Sequence, residues 1–274
     1  MGRVAIVGAM QQELHALLEA MPDESPLRRA GREFWAGHLS GHAVVVALSG
    51  IGKVAAATTA TLLLAEFDDV DRVVFTGTAG GLEPGVEVGD IVVADALLQH
   101  DLDASPLFPR HEVPLYGTDR FRTDVALSDA LADAAQRTLA AFGGVERLLA
   151  GATGASQAAG TDPLGASAIA APPKIGRVHR GLVVSGDRFV SGRAENDALC
   201  RRLPGALAVE MEGAAVAQVC HDFGVPFAVV RTISDRADDA AHVDFTSFVE
   251  QVASRYTLAI VEQWLAETSA VEAR

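Results

Sequence analysis

Short β-branched apolar runs, many of them closed by glycine or serine, recur along this chain and alternate with longer stretches of helical period. Val4–Val7, Ala43–Leu48, Arg72–Phe75, Ile91–Ala94, Gly181–Ser185, Ala206–Val209 and Phe227–Val230 read as strands. Gln11 to Ala20, Lys53 to Phe67 and Phe245 to Glu267 read as helices, the last covering one face of the sheet, and Thr232 to Asp238 reads as a loop. Strands that are apolar throughout, rather than alternating, belong to a sheet buried on both faces. The expected fold class is therefore α/β, with a central and largely buried β-sheet flanked by helices.

The 274 residues suffice to bury a large core, and we read them as a single domain. One segment departs from the pattern. Residues 143–178 are dominated by Ala, Gly, Ser and Pro, with little to bury, and read as an inserted flexible surface loop. Strand-like sequence resumes at Gly181 in the earlier style.

The net charge of −14 repels phosphate backbones and anionic membrane surfaces, so neither nucleic acid nor membrane is an expected partner. A small neutral or cationic ligand is compatible with it. Two cysteines, Cys200 and Cys220, make neither a disulfide framework nor a zinc site, and reduced thiols in a cytoplasmic protein are expected. Neither the N-terminus nor any later run has the apolar length of a signal peptide or membrane span.

In open α/β sheets, ligands gather at the carboxyl ends of the strands. Three strand ends here carry acids: Glu13 after Val4–Val7, Glu210 and Glu212 after Ala206–Val209, and Asp235 after Phe227–Val230. Each has a plainer reading. Glu13 would serve as first-turn dipole compensation on a helix, Asp235 as a helix N-cap, and Glu210 with Glu212 as a surface doublet. The last is the weakest, because the two acids interrupt an otherwise apolar run where unpaired charge is costly. Gly50-Ile51-Gly52 and Gly77-Thr78-Ala79-Gly80-Gly81 would let a ligand approach backbone amides at helix starts. Neither fits a Walker loop or a dinucleotide fingerprint, so no cofactor is expected, and no metal.

In order and spacing, VGAMQQE (Val7 to Glu13), SGIGKVAAA (Ser49 to Ala57), TGTAGGL (Thr76 to Leu82), VGDIVVAD (Val88 to Asp95), QHDLD (Gln99 to Asp103), VVSGDRF (Val183 to Phe189), AVEMEGAAVAQVC (Ala208 to Cys220) and VVRTISDRAD (Val229 to Asp238) resemble the 5′-methylthioadenosine/S-adenosylhomocysteine nucleosidases of the nucleoside phosphorylase superfamily. The likeness runs from residue 3 to about 266, broken mainly at 143–178.

The resemblance implies a nucleoside phosphorylase-like fold, whose central sheet is mixed. It also implies hydrolysis of the N-glycosidic bond of methylthioadenosine and S-adenosylhomocysteine, with release of adenine. Glu13 would activate water, Asp235 would protonate the purine with Ser234 helping to place it, and Glu212 would accept hydrogen bonds from the ribose. Met211 would lie beneath the sugar. Phe189 would stack on adenine, the backbone of Val190 would read its edge, and Thr78, Ala79 and Gly80 would line the base-and-water end. Arg231 would support the carboxylates. Met10, Ile51, Met211 and Phe245 would form an apolar wall for the 5′ group. A homodimer partner would complete that wall from Ala104 to Pro114, chiefly with Leu107, Phe108 and Pro114. A futalosine-type hydrolase and a phosphate-dependent phosphorylase stand as alternatives, and a non-catalytic nucleoside binder is disfavoured by the set Glu13, Glu212 and Asp235.

Overall fold

A computed structural model describes residues 2–142, 176–238, 241, 248 and 252–272. Eleven strands form its sheet: β1 (Arg3–Gly8), β2 (Ser25–Arg29), β3 (Arg32–Leu39), β4 (His42–Leu48), β5 (Val70–Phe75), β6 (Thr78–Gly81), β7 (Ile91–Gln99), β8 (Arg120–Arg122), β9 (Val178–Ser185), β10 (Ala206–Glu210) and β11 (Phe227–Asp235). The described helices are α1 (Gln11–Glu19), α2 (Lys53–Glu66), α3 (Val125–Phe142), α4 (Arg193–Arg202), α5 (Gly213–Phe223) and α6 (Ser254–Glu272).

The strand order is β2-β3-β4-β1-β5-β11-β6-β10-β9-β7-β8, and a further β11–β7 pairing closes the second half of the sheet upon itself. Strands β4, β1, β5 and β11 run parallel, whereas β2–β3, β3–β4, β10–β6, β11–β7 and β7–β8 pair antiparallel. The sheet is thus mixed.

Successive strand side chains point to opposite faces, and both faces are covered. Ala5, Val7 and Val45 pack with Ala56, Ala60 and Leu63 of α2 and Ala214 to Ala217 of α5. Val4, Ile6 and Val46 pack instead with Leu14 and Leu17 of α1, Leu131 and Ala135 of α3, and Tyr256 and Trp264 of α6. A strand clothed on both sides needs no polar alternation, which accounts for the continuous apolar runs.

Three expectations need correction. Residues Thr232 to Asp235 are not a loop but the second half of β11, held by pairing of Thr232 and Ile233 with Thr78 and Ala79 and by complete burial. Gly77 to Gly81 does not open a helix, because Thr78–Gly81 is itself strand β6, whereas Gly50-Ile51-Gly52 does lead into α2. Strand β9 begins at Val178, ahead of Gly181, since Val178 to Arg180 pair with Ile91 to Val93. The polar His179 and Arg180 reach Asp90 at 2.7 Å and Asp95 at 2.6 Å, which removes the cost of placing them in a strand. The rest of the expected insertion, 143–175, lies outside the described residues, as do Phe245 and most of the start of the expected last helix.

Candidate active site

At the carboxyl ends of β1, β10 and β11 lies a cavity of about 320 Å³. Glu13, Met10, Ile51, Thr78, Ala79, Gly80, Phe189, Val190, Met211, Glu212, Ser234 and Asp235 all line it, together with Ala9, Arg188, Val209 and Glu210. Among the described residues, four carboxyl groups therefore share one largely apolar chamber with a single basic side chain, Arg188.

Glu13 stands in the first turn of α1 and is 2% exposed. Its Oε2 accepts from the backbone N–H groups of Ala9 and Met10 at 3.0 Å. Its Oε1 accepts from the backbone N–H and the hydroxyl of Thr78, both at 2.9 Å. The carboxylate thus binds the backbone at the start of its own helix, as the plainer reading of the sequence expects, and also crosses to β6. Gly77 makes the crossing possible: it adopts φ +143°, and a Cβ there would meet Glu13 Oε1 at 2.8 Å.

Asp235 ends β11 at 1% exposure. It is not a helix N-cap. Its Oδ1 accepts from the Ala237 N–H at 2.8 Å, and Ser234 Oγ donates to its Oδ2 at 2.8 Å. Gly80 leaves room for the carboxyl, since a Cβ there would lie 2.9 Å from Asp235 Oδ1.

Glu210 and Glu212 are both buried, so they are no surface doublet. Glu210 is fully engaged. It accepts from the Gly213 N–H at 2.8 Å, from Arg231 Nη2 at 2.6 Å, and from the Ser185 hydroxyl. Arg231 lies behind the cavity wall, 1% exposed, with its guanidinium 4.0 Å from the Phe75 ring centroid. Breaking such a buried pair by removing one partner costs about 3–5 kcal/mol, because the other charge is stranded. Among the described residues Glu212 has one neutral donor, the Gly52 N–H at 2.8 Å, contributed by the turn before α2. Burial, and next the charge of Glu210, push its carboxyl up to about 8.

The loop after β9 carries Arg188, Phe189 and Val190 to the opposite wall. Asp187 anchors it: Oδ1 accepts from the Lys53 N–H at 2.7 Å, while the Asp187 N–H donates to Asp101 at 2.9 Å. Lys53 Nζ completes the clamp with a 2.5 Å contact to Asp101. Sequence reasoning missed this clamp, although Lys53, Asp101 and Asp187 all fall within the segments that carry the resemblance. It also omitted Glu210 from the site, and the signal available was its place two residues before Glu212 on the same strand end.

The described residues supply only part of the expected apolar wall. Met10, Ile51 and Met211 are present, but Ile51 is 60% exposed, and Phe245 lies outside the described residues. Leu107, Phe108 and Pro114 do not line the cavity of their own chain, and Leu107 is 84% exposed. No group of metal-binding side chains occurs among the described residues, and no helix there is long and apolar enough to cross a membrane.

The family model of the phosphorylase superfamily matches residues 3–266. The chain belongs to the phosphorylase superfamily. A 5′-methylthioadenosine/S-adenosylhomocysteine nucleosidase from Neisseria meningitidis, solved with methylthio-immucillin-A, is 32% identical, with 97% of this chain and 99% of that one covered at a TM-score of 0.78. An S-adenosylhomocysteine nucleosidase from Streptococcus pyogenes, in complex with 5-methylthiotubericidin, is 27% identical, with 96% of each chain covered at 0.77. The futalosine hydrolase of Helicobacter pylori is 29% identical, with 97% and 98% covered at 0.78. Within the phosphorylase superfamily the chain falls among the methylthioadenosine/S-adenosylhomocysteine nucleosidases, and it is an N-glycosyl hydrolase.

Proposed function

We propose that the enzyme hydrolyses the N-glycosidic bond of 5′-methylthioadenosine and S-adenosylhomocysteine, releasing adenine and the 5-thio-ribose product. The observation that carries this reading is the convergence of Glu13, Glu212 and Asp235 on one cavity from three different strand ends.

Cleavage of a ribosyl–purine bond passes through a ribosyl cation-like state and needs an acid for the departing base and a base for water. Asp235, placed by Ser234, gives its proton to purine N7 as the C1′–N9 bond breaks and its electrons pass to the ring. Glu13 takes a proton from water as the water oxygen bonds to C1′. Glu212 accepts from the ribose hydroxyls, and Met211 packs beneath the sugar. Phe189 stacks on adenine and the Val190 backbone reads its edge, while Thr78, Ala79 and Gly80 line the base-and-water end. Arg231 acts at one remove, by holding Glu210 in place beside Glu212.

Water is favoured over phosphate as the nucleophile by the charge of the chamber. Glu13 on the cavity wall would repel a phosphate dianion, and a phosphate site needs several cations or amides that Arg188 alone does not supply. Adenine release from methylthioadenosine, measured with and without millimolar phosphate, tests this. Equal rates and free thio-ribose are expected; phosphate-stimulated release with a ribose 1-phosphate product would reverse the assignment.

The active unit in this reading is one nucleosidase domain paired as a homodimer. Ile51 and Val54 by the cavity mouth, with Leu107 and Leu115 in the loop before β8, leave large apolar side chains in water, and a two-fold contact would cover such side chains. Leu107, Phe108 and Pro114 would then close the 5′ wall of the partner's cavity. Both cysteines are free, in keeping with a cytoplasmic enzyme.

A further inference from the structure

Beside the mouth of the cavity, between the β2–β3 hairpin and the end of β4, lies a second cleft of about 270 Å³. Arg28, Gly31, Arg32, Glu33, Leu48 and Gly50 line it. The cleft and the main cavity share a wall. Gly50 faces the cleft and Ile51, the next residue, faces the cavity, so their Cα atoms are about 3.8 Å apart.

Its charges balance unevenly. Arg28 pairs with Glu33, and Arg29 reaches Glu66 at 3.1 Å. Arg32 pairs with Arg29 in the strand register, half-buried, yet its guanidinium has no hydrogen bond or ion pair among the described residues. It lies against the turn that leads to Ile51: a Cβ built on Gly50 would meet Arg32 Nη1 at 3.3 Å. A partly desolvated guanidinium with all its donors uncommitted is a fork shaped for a carboxylate. In a chain of net charge −14 a substrate's carboxylate gains nothing from the overall field, so its recognition needs a local cation of this kind.

We propose that Arg32 binds a carboxylate at the far end of the substrate's 5′ arm, making this cleft the subsite that favours nucleosides with a carboxylated arm over neutral ones. This rests on the nucleosidase reading, which places the 5′ group against Met10, Ile51 and Met211. A 5′-phosphate is the poorer fit, because it is attached directly at C5′ and would be held against that apolar wall, short of the cleft. Arg188 is the other candidate cation, but it faces Glu195 at 3.4 Å from within the main cavity.

The test compares kcat/KM for S-adenosylhomocysteine, its decarboxylated analogue, methylthioadenosine and AMP in the wild type, R32Q and R188Q. In R32Q the ratio of S-adenosylhomocysteine to methylthioadenosine should fall about 10- to 100-fold, the usual worth of one hydrogen bond to a charged group. The wild-type preference for the carboxylated arm over its decarboxylated analogue should vanish with it. An unchanged ratio in R32Q, a loss found in R188Q instead, or AMP turned over best and lost in R32Q would each overturn the subsite. Retained turnover of methylthioadenosine certifies that R32Q is folded. If the wild type releases adenine from none of the four, the underlying reading has failed, and that is distinguishable from failure of the subsite alone.

Discussion

Thr78 gives Glu13 two hydrogen bonds at once, its backbone N–H and its hydroxyl both lying 2.9 Å from Oε1. With Ala9 and Met10 on Oε2, protein donors fill the four acceptor positions of the carboxylate. The backbone donors are fixed, but a hydroxyl rotates. Water can therefore reach Oε1 only as the Thr78 hydroxyl turns aside, and that hydroxyl is then free to hold the same water. Thr78→Val should lower kcat about 10- to 100-fold, as expected for loss of a bond to a charged group, while Thr78→Ser retains most of the rate. Steady-state kinetics of the two variants decide it; a fully active valine variant would remove Thr78 from the handling of water.

Asp235 is held by Ser234 and the Ala237 N–H at the very end of a buried strand. Asp235→Asn preserves its volume and its place but cannot deliver a proton. Adenine release should fall about 10²–10⁴-fold, the usual loss for a general acid, with circular dichroism unchanged. A rate within a few-fold of wild type would show that another group protonates the purine.

Burial, and then the neighbouring Glu210, raise the Glu212 carboxyl from 4.5 to about 8. Between those values the folded chain holds a proton that the unfolded chain has lost, so stability falls as pH rises. The contribution is fully present below the ordinary carboxylate range and gone once pH passes about 8. Glu212→Gln has no such proton to lose. Melting temperature should therefore drop more steeply in the wild type than in the glutamine variant between about pH 5 and about pH 9. Parallel curves would mean that Glu212 is ionised throughout.

Leu107 and Leu115 are 84% and 92% exposed, the least covered apolar side chains in the loop before β8. Phe108, by contrast, is half-buried in its own chain. Leu107→Asp should weaken self-association and raise KM for substrates with an apolar 5′ group, without altering Glu13 or Asp235. Sedimentation at micromolar concentration reads the first effect directly, and an unmodified enzyme that is monomeric and fully active there would rule out a shared pocket.

The sequence alone determined the α/β class, because a glycine-bounded apolar run such as Val4 to Val7 has one economical place, a strand covered on both faces. It also located Glu13, Glu212 and Asp235 at strand ends, since the acid follows each apolar run within a few residues. Neighbours far apart along the chain were decided only by the tertiary structure. Local pattern ends β11 at Val230, but pairing with β6 extends it to Asp235 and turns the expected loop into a buried wall. The Gly52 N–H meets Glu212 across 160 residues, and Arg231 meets Glu210 across 21, because strand order brings those ends together. Strand order follows from how the crossovers pack, and no local periodicity records it. The upward shift of the Glu212 carboxyl has the same origin: it depends on burial beside a second carboxyl, which exists only once β10 is seated in the sheet.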